Sequence, residues 1–285
     1  MKFWQNSARA WLNRLKAGEP IVFRNLQFQS TCLQRDVLLD FYLPPGYDES
    51  KRQDCRLLLI NDGQDLPRMH MKDILQHLYD AQELAPTLIV GIHTSHARIR
   101  EYGTARQADY KGRGDLAGAY TKFILQELVP YIQRHYQISD LPHHRAFAGF
   151  SLGGLSAFDI VWAYPDQFGL AGVFSGSFWW RWSAVRPEDP DADRIMHDIV
   201  HHSSNIDLQQ RFWFQCGALD EEDDRNGNGI IDSIDDTQDL IKALRAKGYG
   251  DKSIRYLELE NGRHEPQTWG EAMPDFLTWM MAIDV

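Results

Sequence analysis

The sequence is poor in cysteine, in long apolar runs and in basic charge. Three cysteines, Cys32, Cys55 and Cys216, are too few and too scattered for a disulfide framework. Cys216 lies in an apolar run and reads as a buried thiol. No stretch approaches the roughly 18 apolar residues of a membrane span. The opening Met1-Lys2-Phe3-Trp4-Gln5-Asn6-Ser7 lacks the apolar core of a signal peptide, so a cytoplasmic protein with no membrane partner is expected. Thirty basic residues stand against 40 acidic ones, a net charge of −10, which argues against a nucleic-acid partner. The pairs His143-His144 and His201-His202 lack metal-ligand spacing, and His264-Glu265 opens no H-E-x-x-H, so no zinc site is expected.

What is there is a chain of 285 residues, 43% of them hydrophobic, enough for one large core. Residues 1–20 read as an amphipathic helix packed on a domain spanning 21–285, with no linker-like stretch or internal repeat inside it. Two strand-like runs, Ile21 to Gln29 and Arg35 to Leu43, suggest an antiparallel opening. Strands and helices then alternate. Strands are expected at 55–61, 87–92, 145–147, 170–174, 211–216 and 254–259, and helices at 69–82, 117–136, 155–162, 237–247 and 265–282. Pro130 is expected to bend the second of these helices. Residues 175–208 read as long, Trp-rich and irregular. Such alternation predicts a mostly parallel sheet covered on both faces.

The chain centres on Gly149-Phe150-Ser151-Leu152-Gly153-Gly154, set between a short apolar strand and a helix. Strand, G-x-S-x-G, helix is the context of a nucleophile elbow. The turn is tight, so Gly149 and Gly153 let neighbouring backbone approach and Ser151 is held at the apex. An activated serine needs a histidine to take its proton and an acid to orient that histidine. In the order serine, acid, histidine, His264 is the candidate base, in the turn after the last strand. Asp220 is the nearest carboxylate to the end of the preceding strand, with Glu221 as the alternative. The oxyanion donors would be the backbone N–H groups of Leu152, just after the nucleophile, and Gln64, in the loop Asn61-Asp62-Gly63-Gln64.

With these residues in place, the chain resembles the putative-esterase family of α/β-hydrolases, which includes enterochelin esterase-like proteins, esterase D and feruloyl esterases. The marks are Leu43-Pro44-Pro45-Gly46-Tyr47, Asp62-Gly63-Gln64, Arg100-Glu101-Tyr102, Glu127-Leu128-Val129-Pro130-Tyr131-Ile132, the elbow, Ser175-Gly176-Ser177 and Gly262-Arg263-His264. The resemblance implies an α/β-hydrolase fold with about eight strands, helices on both faces and no separate cap domain. It implies a serine carboxylic-ester hydrolase acting on a small-molecule ester through Ser151, His264 and Asp220. An acyltransferase or thioesterase would use the same residues. A non-catalytic scaffold binding carbohydrate or a partner is the alternative of another class.

Two further patterns carry chemistry. From Asp224 to Asp235, oxygen-bearing residues fall at Asp224, Asn226, Asn228, the Ile230 carbonyl, Asp232 and Asp235, with Gly229 at the sharp turn. This is the spacing of an EF-hand calcium loop with Asp in place of the final Glu, and a structural Ca2+ is expected there. An Asx-rich turn that binds nothing is the plain alternative. In Phe178-Trp179-Trp180-Arg181-Trp182, at most one of Trp179 and Trp180 is expected to face substrate, since successive residues of an extended segment point oppositely, and packing within the loop is the plain alternative. Arg98, Arg100 and Arg106 could meet an anionic group, and internal pairing such as Arg100 with Glu101 is the favoured use.

Overall fold

The computed structural model describes residues 21–48, 54–204 and 206–282. The helix expected over 1–20 lies outside the described residues. Eight strands form one sheet: β1 (Val22–Ser30), β2 (Arg35–Leu43), β3 (Arg56–Asn61), β4 (Thr87–Ile92), β5 (Arg145–Phe150), β6 (Leu170–Phe174), β7 (Arg211–Leu219) and β8 (Ile254–Arg263). Their spatial order is β1-β2-β4-β3-β5-β6-β7-β8. β1 and β2 form an antiparallel hairpin, β2 joins β4 antiparallel, and every pairing from β4 to β8 is parallel. This is the expected α/β-hydrolase architecture.

The central strands are short and apolar on both faces because helices cover both. Leu57 and Leu59 of β3 point into one core layer, and Leu58 and Ile60 into the other. Helices α1 (Met71–Asp80) and α6 (Pro266–Met280) cover one face, with Met71, Leu75, Trp269 and Phe276 against the sheet. The other face carries α2 (residues 117–135), α3 (Leu152–Ala163), α4 (Ile195–His202) and α5 (Asp232–Ala246). α2 is continuous through three segments, Ala117–Lys122, Phe123–Leu128 and Val129–His135, the middle one wound as a π-helix. Pro130 explains the widening: it donates no N–H, and its ring crowds the carbonyl one turn back.

Among the boundaries that differ from expectation, three bear on the site. α4 falls inside the stretch read as irregular; it is short, and its apolar residues Ile195, Met196 and Val200 are buried in a polar context. α5 begins at Asp232 instead of Thr237, because acidic residues that read as loop ligands sit in the first turn, where the helix dipole favours them. β8 runs on to Arg263, so the base candidate follows the strand directly. Among the described residues no helix is long and apolar enough to cross a membrane. The thiols Cys55 and Cys216 are both buried, and burial pushes each up to about 12.

Candidate active site

The elbow is built by backbone contact. A Cβ on Gly149 would lie 2.4 Å from the Gly153 carbonyl oxygen, and one on Gly154 would lie 2.9 Å from that of Gly149. Only glycine permits this approach of the strand end to the first turn of α3. Ser151, between them, has φ 56° and ψ −123°, a strained conformation for a residue with a side chain. Its N–H donates to the Phe174 carbonyl at 2.9 Å, tying the elbow to the end of β6. Leu152 opens α3, so its N–H is among the first-turn donors that a helix cannot satisfy internally.

The loop after β3 is pressed against this turn. Asn61 Nδ2 donates to the Gly153 carbonyl at 2.8 Å, and Tyr120 Oη donates to Asn61 Oδ1 at 2.5 Å. A Cβ on Gly153 would meet Asp62 Oδ2 at 2.7 Å. Asp62 adopts a left-handed conformation, and the chain turns into a 3-10 helix over Gly63–Met69. Gly63 is packed on the backbone of Gly91, where a Cβ would lie 2.5 Å from the Gly91 carbonyl carbon. Gln64 thus sits in the first turn of a helix, its side-chain Oε1 accepting the Thr94 N–H at 3.1 Å.

A pinched pairing brings Asp220 and His264 together. β7 and β8 slip register between Gly217 and Leu219, so that Leu219 comes opposite Arg263. Asp220 and His264 are the residues directly after the two strands. The pinch needs glycine, because a Cβ on Gly217 would lie 2.5 Å from Gly262. Asp220 Oδ2 accepts the Gly217 N–H at 2.9 Å, while Oδ1 is buried without a partner among the described residues. Burial raises the Asp220 pKa, opposed by the Gly217 N–H, the Ser175 hydroxyl and His264. Ser175 Oγ itself accepts from Trp269 Nε1 at 3.0 Å. The His264 ring stands near-perpendicular to Trp269, their centroids 5.4 Å apart. Partial burial lowers its pKa, Asp220 raises it, and the Arg98 cation lowers it again.

These placements bear unevenly on the expected set. The hydroxyl of Ser151 lies 3.2 Å from Ser177 Oγ. Among the described residues it has no hydrogen bond to His264, nor His264 one to Asp220. Catalytic hydrogen bonds are often long in unliganded enzymes and tighten with substrate bound. Glu221 is turned away from the histidine: its Oε1 accepts the Ser233 N–H at 2.5 Å and caps α5. Trp180 does not line a pocket. It is fully buried against Gly103 and Gly114, with the Arg113 guanidinium 5.1 Å from its ring centre. Trp179 is half-buried and borders a cleft of about 420 Å³ with Tyr110, Lys111, Arg113 and Arg225. Another cleft, of about 490 Å³, lies at the far end of α3 beside Trp162 and Arg106. The pairing expected between Arg100 and Glu101 is not found: Arg100 bonds Asp115, and Glu101 bonds Arg35. Neighbours along so short a helical turn point in different directions, so each reaches outward instead.

In the Asp224–Asp235 loop the side chains bond one another. Asp224 accepts the Asn228 and Gly229 N–H groups at 3.1 and 2.9 Å, and Asp235 Oδ2 accepts the carboxamides of Asn226 and Asn228 at 2.9 and 3.0 Å. Asp232 accepts the Arg225 N–H at 3.0 Å. Among the described residues no group of three or more His, Cys, Asp or Glu is arranged to hold a metal ion. The sequence pattern did not reveal Ser177 or Asp62 as members of the site, and offered Arg98 only as a possible partner of an anionic group. Ser177 and Asp62 were visible only as parts of motifs.

The putative-esterase family profile matches residues 30–280, nearly the whole described chain. The chain belongs to the putative-esterase family. It is a carboxylesterase-type hydrolase. The uncharacterized protein YbbA of Bacillus subtilis is 24% identical over 84% of this chain and 90% of its own length. The enterobactin esterase FES of Shigella flexneri, solved in the presence of enterobactin, superposes with a TM-score of 0.71 at 20% identity. That match covers 91% of this chain and 58% of FES, so this chain spans little more than half of that protein. A ferulic acid esterase superposes with a TM-score of 0.69 at 20% identity, covering 93% of this chain and 98% of its own. At such identities the likeness speaks for the fold of this esterase.

Proposed function

We propose that this esterase hydrolyses a small-molecule carboxylic ester through an acyl-enzyme on Ser151. The observation that carries the reading is the backbone of Ser151, a non-glycine residue held at φ 56° on a turn closed by glycine contacts. Such strain persists only where its surroundings impose it, and it clusters at functional sites. Ser151 Oγ attacks the ester carbonyl while its proton passes to the free imidazole nitrogen of His264. Asp220 holds the other ring nitrogen, fixing the tautomer, and its unpartnered buried Oδ1 supports this role. The N–H groups of Leu152 and Gln64 stabilise the oxyanion. His264 then gives its proton to the leaving alkoxide, and water clears the acyl group by the same steps in reverse. The lowered pKa of His264 keeps it neutral, hence basic, at neutral pH. The cleft beside Trp179 is the candidate place for the bulkier half of the ester, since Trp179 lies two residues beyond Ser177.

The test is Ser151→Ala. A fluorophosphonate probe labels the wild type and not the variant, and hydrolysis of a short p-nitrophenyl ester falls by about a thousandfold or more while the fold is kept. Equal activity in the variant sinks the reading. Calcium in the Asp224–Asp235 loop is a separate proposal, supported by the spacing of its oxygens. It requires the Asn226 and Asn228 carboxamides to turn their oxygens inward, in place of the groups now bonded to Asp235. The ion would order the loop and do no chemistry. A Tm that calcium and a chelator leave unchanged rejects it.

A further inference from the structure

Arg98 lies in a helical turn, Arg98–Glu101, in the loop after β4, remote in sequence from the residues it joins. Its Nε donates to Asp62 Oδ1 and its Nη2 to Asp62 Oδ2, both at 2.8 Å, a bidentate fork on a carboxylate whose side chain is only 3% exposed. The same Nη2 donates to the Phe150 carbonyl at 3.3 Å, the residue just before the nucleophile. The guanidinium also lies over the Tyr102 ring, 5.2 Å from its centre, and Tyr102 Oη accepts the Asp62 N–H at 3.2 Å. One side chain therefore spans three segments: the loop after β4, the loop after β3 that leads into Gln64, and the elbow.

We propose that Arg98 is a positioning residue, which locks the Asp62–Gln64 loop against the elbow. It rests on the serine-hydrolase reading above. The lock matters because oxyanion donors act only when preorganised at the developing charge. Asp62 Oδ2 lies where a side chain on Gly153 would be, so a shift of this carboxylate moves the Gln64 loop relative to α3. A planar fork is needed for this, and an ammonium cannot replace it. The charge has a second effect. Asp220 from the end of β7 and Arg98 from the β4 loop are the charged groups that act on His264, with uncharged Trp269 packed on it from α6. Asp220 favours the imidazolium and Arg98 opposes it. Arg98 thus lets His264 stay a free base to lower pH.

The two effects separate on substitution. Arg98→Gln removes fork and charge. We expect kcat to fall about tenfold to a hundredfold with KM within about twofold, since the lost interactions serve the transition state. The acid limb of kcat/KM moves to higher pH, because His264 loses the cation that depressed its pKa. Arg98→Lys keeps the charge without the fork: kcat falls as in the glutamine variant, but the acid limb stays. Arg100→Gln, on the same turn in an exposed pair with Asp115, is the control and behaves as wild type. Circular dichroism checks that each variant is folded. A folded Arg98→Gln with wild-type kcat and acid limb overturns the inference while labelling of Ser151 still stands. A wild type whose Ser151 takes no fluorophosphonate overturns the serine-hydrolase reading and the inference together. If Arg98→Gln does not fold, Asp62→Asn must reproduce the loss of kcat, and a wild-type kcat there overturns the lock.

Discussion

The elbow follows β5 and the acid loop follows β7, two strands along the same sheet, yet they are held in different ways. The elbow is fixed by sterics. Gly149, Gly153 and Gly154 touch backbone and side chains at distances no Cβ tolerates, and α3 behind them is buried on every side from Leu152 to Trp162. The acid loop is fixed by charge. Arg225 is 8% exposed and bonds Asp191, Asp232 and the fully buried Asp236, which also meets Arg194 at 2.5 Å. A steric lock leaves its residue types in the local sequence, as glycines at fixed offsets. An electrostatic lock depends on partners far along the chain, such as Asp191, and leaves no local mark.

The sharpest way to break the contrast is Gly149→Ala. Its methyl would collide with backbone, which cannot step aside as a side-chain end can. Labelling of Ser151 by a fluorophosphonate should slow by about a hundredfold or more, as expected for an ångström-scale displacement of a catalytic group. A rate near wild type would mean the elbow yields and is not sterically set.

Arg225→Gln probes the other side. Removing one partner of a buried ion cluster costs about 3–5 kcal/mol, and the lower end is expected because Arg194 still meets Asp236. Urea unfolding should show the lost stability. An unchanged midpoint would deny the charge lock.

Glu221→Gln should have the smallest effect, visible as pH dependence. Burial first, then Asp232, Asp223 and Asp236, push the Glu221 carboxyl up to about 7 from its ordinary 4.5, against the Ser233 N–H. The folded state thus keeps a proton that the unfolded chain releases above 4.5, so stability declines as pH rises from there through 7. Glutamine cannot titrate and can still accept the Ser233 N–H. The fall in Tm between pH 5 and pH 8 should therefore shrink in the variant, and an unaltered slope would remove Glu221 as its source.

The same division explains what could be read beforehand. β4 and β6 fall where apolar runs put them, because a strand buried on both faces must be apolar throughout. Ser151 and His264 stand directly after β5 and β8, at the strand ends where chain order put them. Trp180 misled because an indole after a strand end suits a pocket and a core equally; only Gly103 and Gly114, some 70 residues earlier, make the slot that swallows it. Asp62 and Arg98 are 36 residues apart, and no periodicity links them. The early start of α5 was hidden because Asp232 and Asp235 suit both a helix N-terminus and a cation loop.

The full burial of α3 has a consequence for how the enzyme fails. Its amides are expected to exchange with solvent only through openings close to global unfolding, whereas Asp220 and His264 sit just past strand ends, on segments expected to open at lower free energy. Under mild denaturant, hydrolysis should cease while hydrogen exchange in the nucleophile helix is still slow. Inactivation would then be a dispersal of the proposed acid and base around a serine that has not yet moved.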